Sequence, residues 1–173
     1  DKITKFIEEK GLKPVAVLLT HGHFDHCGGA KPIVEKYGVP VYGSEKDAAL
    51  AASASKNLWG VFCHDCKITD YVDGIDSFSV GGFSFGVMKT PGHTPGGVCY
   101  FIDDIMFSGD TLFKECIGRI DLPGGDYREM MDSLSKIALI DKNYKVYAGH
   151  EEDTDLFHEF RFNPYLSAFK RSK

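Results

Sequence analysis

Three histidines and an aspartate fall within six residues of this chain, in the run Thr20-His21-Gly22-His23-Phe24-Asp25-His26-Cys27-Gly28-Gly29. Imidazole and carboxylate donors together suit zinc, iron or manganese. Donors at the first, third and sixth positions of a loop can point in two directions, so one ion could take His21 and His23 and a second Asp25 and His26. Each ion needs further donors from elsewhere. His93 in Thr90-Pro91-Gly92-His93-Thr94-Pro95-Gly96-Gly97, Asp110 in Phe107-Ser108-Gly109-Asp110-Thr111 and His150 after Gly149 are the candidates. Taken alone, such a histidine is usually a surface residue and an aspartate after glycine usually a turn. Four donors in six residues change that reading, because their charge and polarity need a partner. A structural zinc site is the rival, but those are closed and mostly contain cysteine. Histidine and aspartate donors fit an open, water-holding site better.

These residues need elements to hold them. Residues 3–10 place Ile3, Phe6 and Ile7 at helical spacing, with Gly11 as the stop. After Pro14, Val15 to Leu19 reads as a buried strand that delivers the histidine cluster. A helix over about 30–37, closed by Gly38, and a strand from Val39 to Tyr42 complete an α/β alternation. The Ala- and Ser-rich residues 44–56 read as helical, whereas 57–73 carries no clear period. Beyond Ile75 come short strands at 76–80, 83–90, 97–103 and 104–108, with Gly81-Gly82 and Asp103-Asp104 as hairpin turns. A helix over 127–140, a strand over 144–148 and a terminal helix containing Pro164 to Lys170 follow. The candidate ligands sit at strand ends, where α/β folds place their sites.

The 173 residues, 43% of them hydrophobic, suit one compact domain over 1–173. The net charge of −5 and the lack of a basic run argue against a nucleic-acid partner. No apolar stretch approaches the roughly 20 residues of a membrane helix. Cys27, Cys63, Cys66, Cys99 and Cys116 are odd in number and no signal-peptide pattern is visible, so reduced thiols and a cytoplasmic location are expected.

The pattern Thr20-His21-x-His23-x-Asp25-His26 resembles the metallo-β-lactamase superfamily. Pro91-Gly92-His93-Thr94, Gly109-Asp110-Thr111-Leu112-Phe113, Gly118-Arg119-x-Asp121-Leu122-Pro123-Gly124-Gly125 and Gly149-His150 narrow the resemblance to its glyoxalase II (hydroxyacylglutathione hydrolase) branch, in the short bacterial form. The resemblance implies an α/β fold (α+β in some schemes), an αββα sandwich. It implies two zinc ions, with iron or manganese as alternatives. His21, His23 and His93 would hold one ion, Asp25, His26 and His150 the other, and Asp110 would bridge them. The implied activity is hydrolysis of a thioester such as S-lactoylglutathione by a water activated as hydroxide, with Asp25 orienting that water and Arg119 contacting the thiol half. Two departures stand out. The family has about three strands before the first helix here, so the chain reads as N-terminally truncated, with a sheet edge that a partner could cover. Asp121 and Glu152 replace tyrosines that help hold glutathione, and the C-terminal helical domain of the longer enzymes is missing.

The related persulfide dioxygenases, with one iron, are the rival enzyme reading; a non-catalytic metal-binding fragment is the rival outside enzymes. A β-lactamase lacks secretory context and a nuclease of the superfamily lacks basic charge. Cys63-His64-Asp65-Cys66 resembles half a zinc ribbon or a redox motif; a ribbon needs a second pair, which Cys99 and Cys116 are not spaced to supply, and the stretch is read as structural. His158 is expected to be solvated, Cys27 to pack, and Trp59, Phe62 and Tyr71 either to pack or to line a substrate mouth.

Overall fold

The computed structural model describes residues 2–170. A first helix, α1 (Lys2–Glu9), buries none of its residues, and Ile3 and Phe6 are more than half exposed. Three short strands, β1 (Val17–Leu18), β2 (Val41–Gly43) and β3 (Asp70–Tyr71), then form a parallel sheet in sequence order. Parallel pairing requires crossovers. The crossover from β1 to β2 carries α2 (Phe24–Cys27) and α3 (Ala30–Tyr37), and that from β2 to β3 carries α4 (Ala48–Ala51). Leu19, Cys27, Ala30, Val41, Ala51 and Ile68 bury the helix-facing side of this sheet.

The second sheet has six strands. A meander of β4 (Ser77–Val80), β5 (Phe83–Lys89), β6 (Val98–Ile102) and β7 (Ile105–Gly109) runs antiparallel. The chain then forms a small hairpin, β8 (Leu112–Phe113) with β9 (Cys116–Ile117), and a helix, α5 (Tyr127–Ile137). It returns as β10 (Lys145–Ala148) parallel to β7, and β11 (Thr154–Asp155) closes that edge. Two further helices, α6 (Leu156–Phe162) and α7 (Pro164–Lys170), pack with α5 on the outer face. There Cys99, Met106, Leu112, Met130, Leu134, Ile137, Val146, Leu156 and Leu166 make the main core.

The inner faces of the sheets meet through Val72, Val98 and Tyr100, packed by Leu18, Tyr42, Phe78 and Val87. The Tyr100 hydroxyl donates to the Leu19 carbonyl at 3.1 Å, and the Val98 N–H to the Thr20 carbonyl at 2.8 Å. These bonds stitch the end of β1 to β6. The order is helices, sheet, sheet, helices, the expected αββα sandwich. β5, β7 and β10 all run in one direction, so their C-terminal ends lie along one edge of the sandwich. β1 borders its own sheet, and beside it lies an apolar cavity of about 460 Å³ that includes Val15, Leu18, Phe83, Phe85 and Phe107.

Several elements depart from the sequence reading. The expected helix over 44–56 is broken into two 3₁₀ turns, Glu45–Asp47 and Ala54–Lys56, around the four residues of α4. Asp47 turns inward to accept hydrogen bonds, and the Ser53 hydroxyl donates to the Ala49 and Leu50 carbonyls, competing with helical pairing. His158, expected to be solvated, is partly covered instead. It lies on α6, half-buried, with Nε2 2.9 Å from Glu115 Oε1.

Glu159, also on α6, is fully buried. Its carboxylate accepts from the Glu115 N–H at 2.8 Å, the Thr154 hydroxyl at 2.6 Å and the Asn163 side-chain amide at 2.9 Å. It therefore ties α6 to β11 and to the β8–β9 turn. Glu159→Ala strands three donors and is expected to cost about 3 kcal/mol. That corresponds to a melting midpoint roughly 6–12 °C lower by calorimetry. A drop under about 2 °C would mean that water replaces the carboxylate there.

Candidate metal centre

Each candidate ligand leaves the end of a strand. The run from Thr20 follows β1; His93 lies in the loop between β5 and β6; Asp110 follows β7 directly; His150 follows β10 through Gly149. The structure brings all seven together. His21, His23 and His93 offer nitrogens within 4.8 Å of one another, as do the donor atoms of His21, His26 and Asp110, and those of Asp25, His26 and His150. His23 Nδ1 is 2.9 Å from His93 Nε2, and His26 Nε2 is 3.2 Å from His150 Nε2. Asp110 lies between the groups: Oδ1 is 3.3 Å from His26 Nε2, and Oδ2 is 3.4 Å from His93 Nε2 and 3.5 Å from His150 Nε2. Asp25 Oδ2 lies 3.2 Å from His150 Nε2, on the exposed side of the cluster.

Burial holds His21, His23 and His26 neutral. It pushes His21 well below the ordinary histidine range, reinforced by His26, His93, His23 and His150. It lowers His23 to about 4, with His93 adding to the effect and Asp25 opposing it. His26 is lowered by burial too, against the pull of Asp110 and Asp25. His93 Nδ1 lies 2.6 Å from the Arg119 carbonyl, an acceptor, which places the ring proton there and leaves the Nε2 lone pair facing the cluster. Two buried atoms, His21 Nε2 and Asp110 Oδ1, have no hydrogen-bond partner. Gly149 adds a shape constraint: a Cβ there would lie 2.2 Å from Asp110 Oδ1 and 2.5 Å from His26 Cε1. Inward lone pairs, two carboxylates, orphaned buried acceptors and a backbone pressed against them fit divalent cations.

The loops are held by a residue that the sequence did not single out. Asp47, 1% exposed, accepts from the Gly22 N–H at 2.8 Å, the Thr94 hydroxyl at 2.7 Å and the Gly96 N–H at 2.8 Å. One carboxylate thus clamps the His21–His26 loop to the His93 loop. Its position after a lysine in an Ala-rich stretch carries no signal of this. Deeper in, Thr111 donates to the Thr90 hydroxyl at 3.0 Å and joins the His93 loop to the Asp110 loop.

An open cleft of about 530 Å³ lies over the cluster, lined by His23, Asp25, His93, Asp110 and His150 on one side and Trp59, Phe113, Ile117, Arg119 and Leu122 on the other. Arg119 is in the cleft as expected, but its guanidinium makes a two-pronged pair with Asp121, at 2.7 and 2.8 Å. That pairing lowers the Asp121 carboxyl to about 2. Trp59 lines the cleft; Phe62, 90% exposed, and Tyr71 do not. Cys27 is fully buried and burial pushes its thiol up to about 12, so it packs and is unreactive. Cys66 is buried, Cys63 half-buried, and all five cysteines are free.

The chain belongs to the metallo-β-lactamase superfamily: the profile described as "Metallo-beta-lactamase superfamily" matches residues 1–150. Within it the chain is a metallo-hydrolase. It is 37% identical to the "Probable metallo-hydrolase YqgX" of Bacillus subtilis (strain 168), over 97% of this chain and 83% of that one. It is 34% identical, with the same coverages, to the "Hydroxyacylglutathione hydrolase GloC" of Haemophilus influenzae. Among solved structures it resembles the BLEG-1 B3 metallo-β-lactamase (TM-score 0.89, 33% identity, 96% of this chain and 83% of that one). It also resembles TTHA1623 in a di-iron-bound form (TM-score 0.86, 35% identity, 95% and 84%).

Asp47→Asn replaces an acceptor oxygen by an NH₂ group that faces N–H donors. Such a change behind the donor cluster is expected to weaken binding of a divalent cation, zinc being the probe, on the order of tenfold or more. Competition with a chromophoric chelator measures this. Unchanged affinity alongside a lowered melting midpoint would show that the clamp serves stability alone.

Proposed function

We propose that this protein hydrolyses acyl thioesters, S-lactoylglutathione or a related compound, at a centre of two divalent cations. His21, His23 and His93 would hold one ion and Asp25, His26 and His150 the other, with Asp110 shared. The observation that carries the reading is the position of Asp110 between the two histidine groups on the floor of an open cleft, with Oδ1 beside His26 and Oδ2 beside both His93 and His150. The likeness to a hydroxyacylglutathione hydrolase supports the substrate class. Zinc is the expected metal; iron is the alternative, since a similar protein takes two irons. Five free thiols agree with a reducing, cytoplasmic setting.

When bound, two such cations would supply an activated water at neutral pH and polarise the acyl carbonyl. The residues supply the rest. Arg119 fixes the His93 ring through its backbone carbonyl. Asp25, partly exposed beside His150, accepts a hydrogen bond from the attacking water and orients it. The water oxygen adds to the acyl carbon, the carbon–sulfur bond breaks, and sulfur leaves with the electron pair. A thiol has a pKa near 8.5, so the leaving group needs little acid assistance. The products are a carboxylate and a thiol, with the remaining proton released to solvent. Polar parts of the thiol half would lie toward Arg119.

The test is thiol release from S-lactoylglutathione by the zinc-loaded protein. Turnover is expected to need about two metal ions per chain and to stop on chelation. Asp110→Asn should lower it at least 100-fold, on the order of the loss from removing one key polar group at a reacting centre. A folded protein with two metals that releases no thiol would overturn the reading. Oxygen uptake with glutathione persulfide in the iron form would instead indicate a dioxygenase.

A further inference from the structure

The cleft over the metal cluster has a side lobe. This second cavity, about 260 Å³, is lined by His23, Phe24, Leu50, Leu58, Trp59 and Leu122, with Ser53, Lys56 and Asn57 at its polar margin. It shares His23, Phe24, Trp59 and Leu122 with the main cleft, so Trp59 and Leu122 stand at the junction. We propose that this lobe receives an apolar acyl group of the substrate, a short alkyl chain or a single ring; this rests on the thioesterase reading and names the substrate class for it.

The two cavities differ in chemistry. The main cleft contains Asp25, Asp110, Arg119 and Glu151, whereas Lys56 is the lobe's single charged side chain and lies exposed. Its other polar groups are committed elsewhere. Asn57 donates to the Ala54 and Val61 carbonyls and accepts from the Trp59 and Val61 N–H groups. Ser53 donates to backbone carbonyls of α4. Apart from His23, which belongs to the donor cluster, what remains for a ligand is mainly hydrocarbon.

The wall is also built in advance. Asn57 fixes the turn that presents Trp59, and the indole lies against the Phe24 ring with centroids 5.4 Å apart. Phe24 follows His23, so the wall is tied to the metal-binding loop. Leu58 and Trp59 remain 76% and 52% exposed, so apolar surface is left open at the mouth of the lobe, where a ligand could cover it. A thioester has two halves. Arg119 borders the main cleft and not the lobe, so the polar thiol half belongs there and the acyl half turns past His23 into the lobe.

Trp59 is the chain's only tryptophan, so its fluorescence reports on the lobe without any turnover. Acetate, butyrate and hexanoate, as product carboxylates, are titrated into the zinc-loaded protein. The Trp59 emission is expected to shift to the blue. The dissociation constant should fall roughly fourfold per methylene, the equivalent of about 0.8 kcal/mol for each CH₂ taken from water. In parallel, kcat/KM for acyl esters of N-acetylcysteamine should rise with the same slope. Leu58→Ser, at an exposed position, should flatten both slopes. Phe62→Ser, in the same loop but lining neither cavity, should leave both as they are. A binding slope without hydrolysis would remove the thioesterase reading and keep the lobe as an apolar subsite. Flat series in both measurements, or a slope that follows the length of the thiol and not the acyl group, would overturn the proposal.

Discussion

Buried lone pairs directed at one another are the constraint on which this molecule depends. With its Nδ1 proton held by the Arg119 carbonyl, His93 presents a bare Nε2 2.9 Å from His23, beside an aspartate whose Oδ1 has no hydrogen-bond partner. Burial keeps His21, His23 and His26 unprotonated, so protonation of these three is not what relieves the crowding of acceptors. In an ordinary core such a group would be strongly destabilising, because unsatisfied buried polar atoms cost roughly 1–3 kcal/mol each. The arrangement makes sense as a receptacle that is completed by cations, with binding free energy contributing to the folded state. The strand ends, the clamp and the outer core can be understood as what holds that receptacle open.

Asp47 is the clearest case of this support. A buried carboxylate with three donors from two loops is a costly group, and here it fixes the separation of the two segments that bring His21, His23 and His93 together. Hydrogen bonds to an ionised acceptor are the strong kind, and this set spans the interface between the sheets. The other half of the centre is supported differently. β7 and β10 lie side by side in parallel, so Asp110 and His150 issue from neighbouring strand ends, and the Gly149 N–H donates to the Gly109 carbonyl at 2.9 Å. One side of the site rests on a polar clamp and the other on a sheet ladder.

The ligand cluster was legible in the sequence because its signal is local density: four donors in six residues admit few readings. His93, Asp110 and His150 were legible only through their position after strand-like runs and through family resemblance. The α/β alternation and the hairpins at Gly81-Gly82 and Asp103-Asp104 were readable from period and turn chemistry, and the strands pair across those turns as expected. What escaped was determined by contacts far apart in sequence. α4 is short because Asp47 is drawn to Gly22, Thr94 and Gly96, partners 25 to 49 residues away. β3, β11 and the β8–β9 hairpin are two-residue strands, too short to carry a period. The side lobe has no signature either, since Leu50, Leu58 and Leu122 meet only in the fold.

Arg119 has a structural task besides the substrate contact that the resemblance implies. Resemblance placed its side chain against the substrate, and the side chain does border the cleft. Its guanidinium, however, is held by Asp121 in a two-pronged pair at the surface. The part of Arg119 with a fixed task is its backbone carbonyl, which sets the tautomer of His93. Gly118 explains why the chain passes there at all: a Cβ at that position would come within 1.8 Å of the Asp110 carbonyl oxygen, so only glycine lets the Gly-Arg segment cross behind Asp110. The Gly-Arg pair is therefore constrained first by the geometry of the metal-binding loops. The Asp121 pairing then fixes where the guanidinium sits at the edge of the cleft.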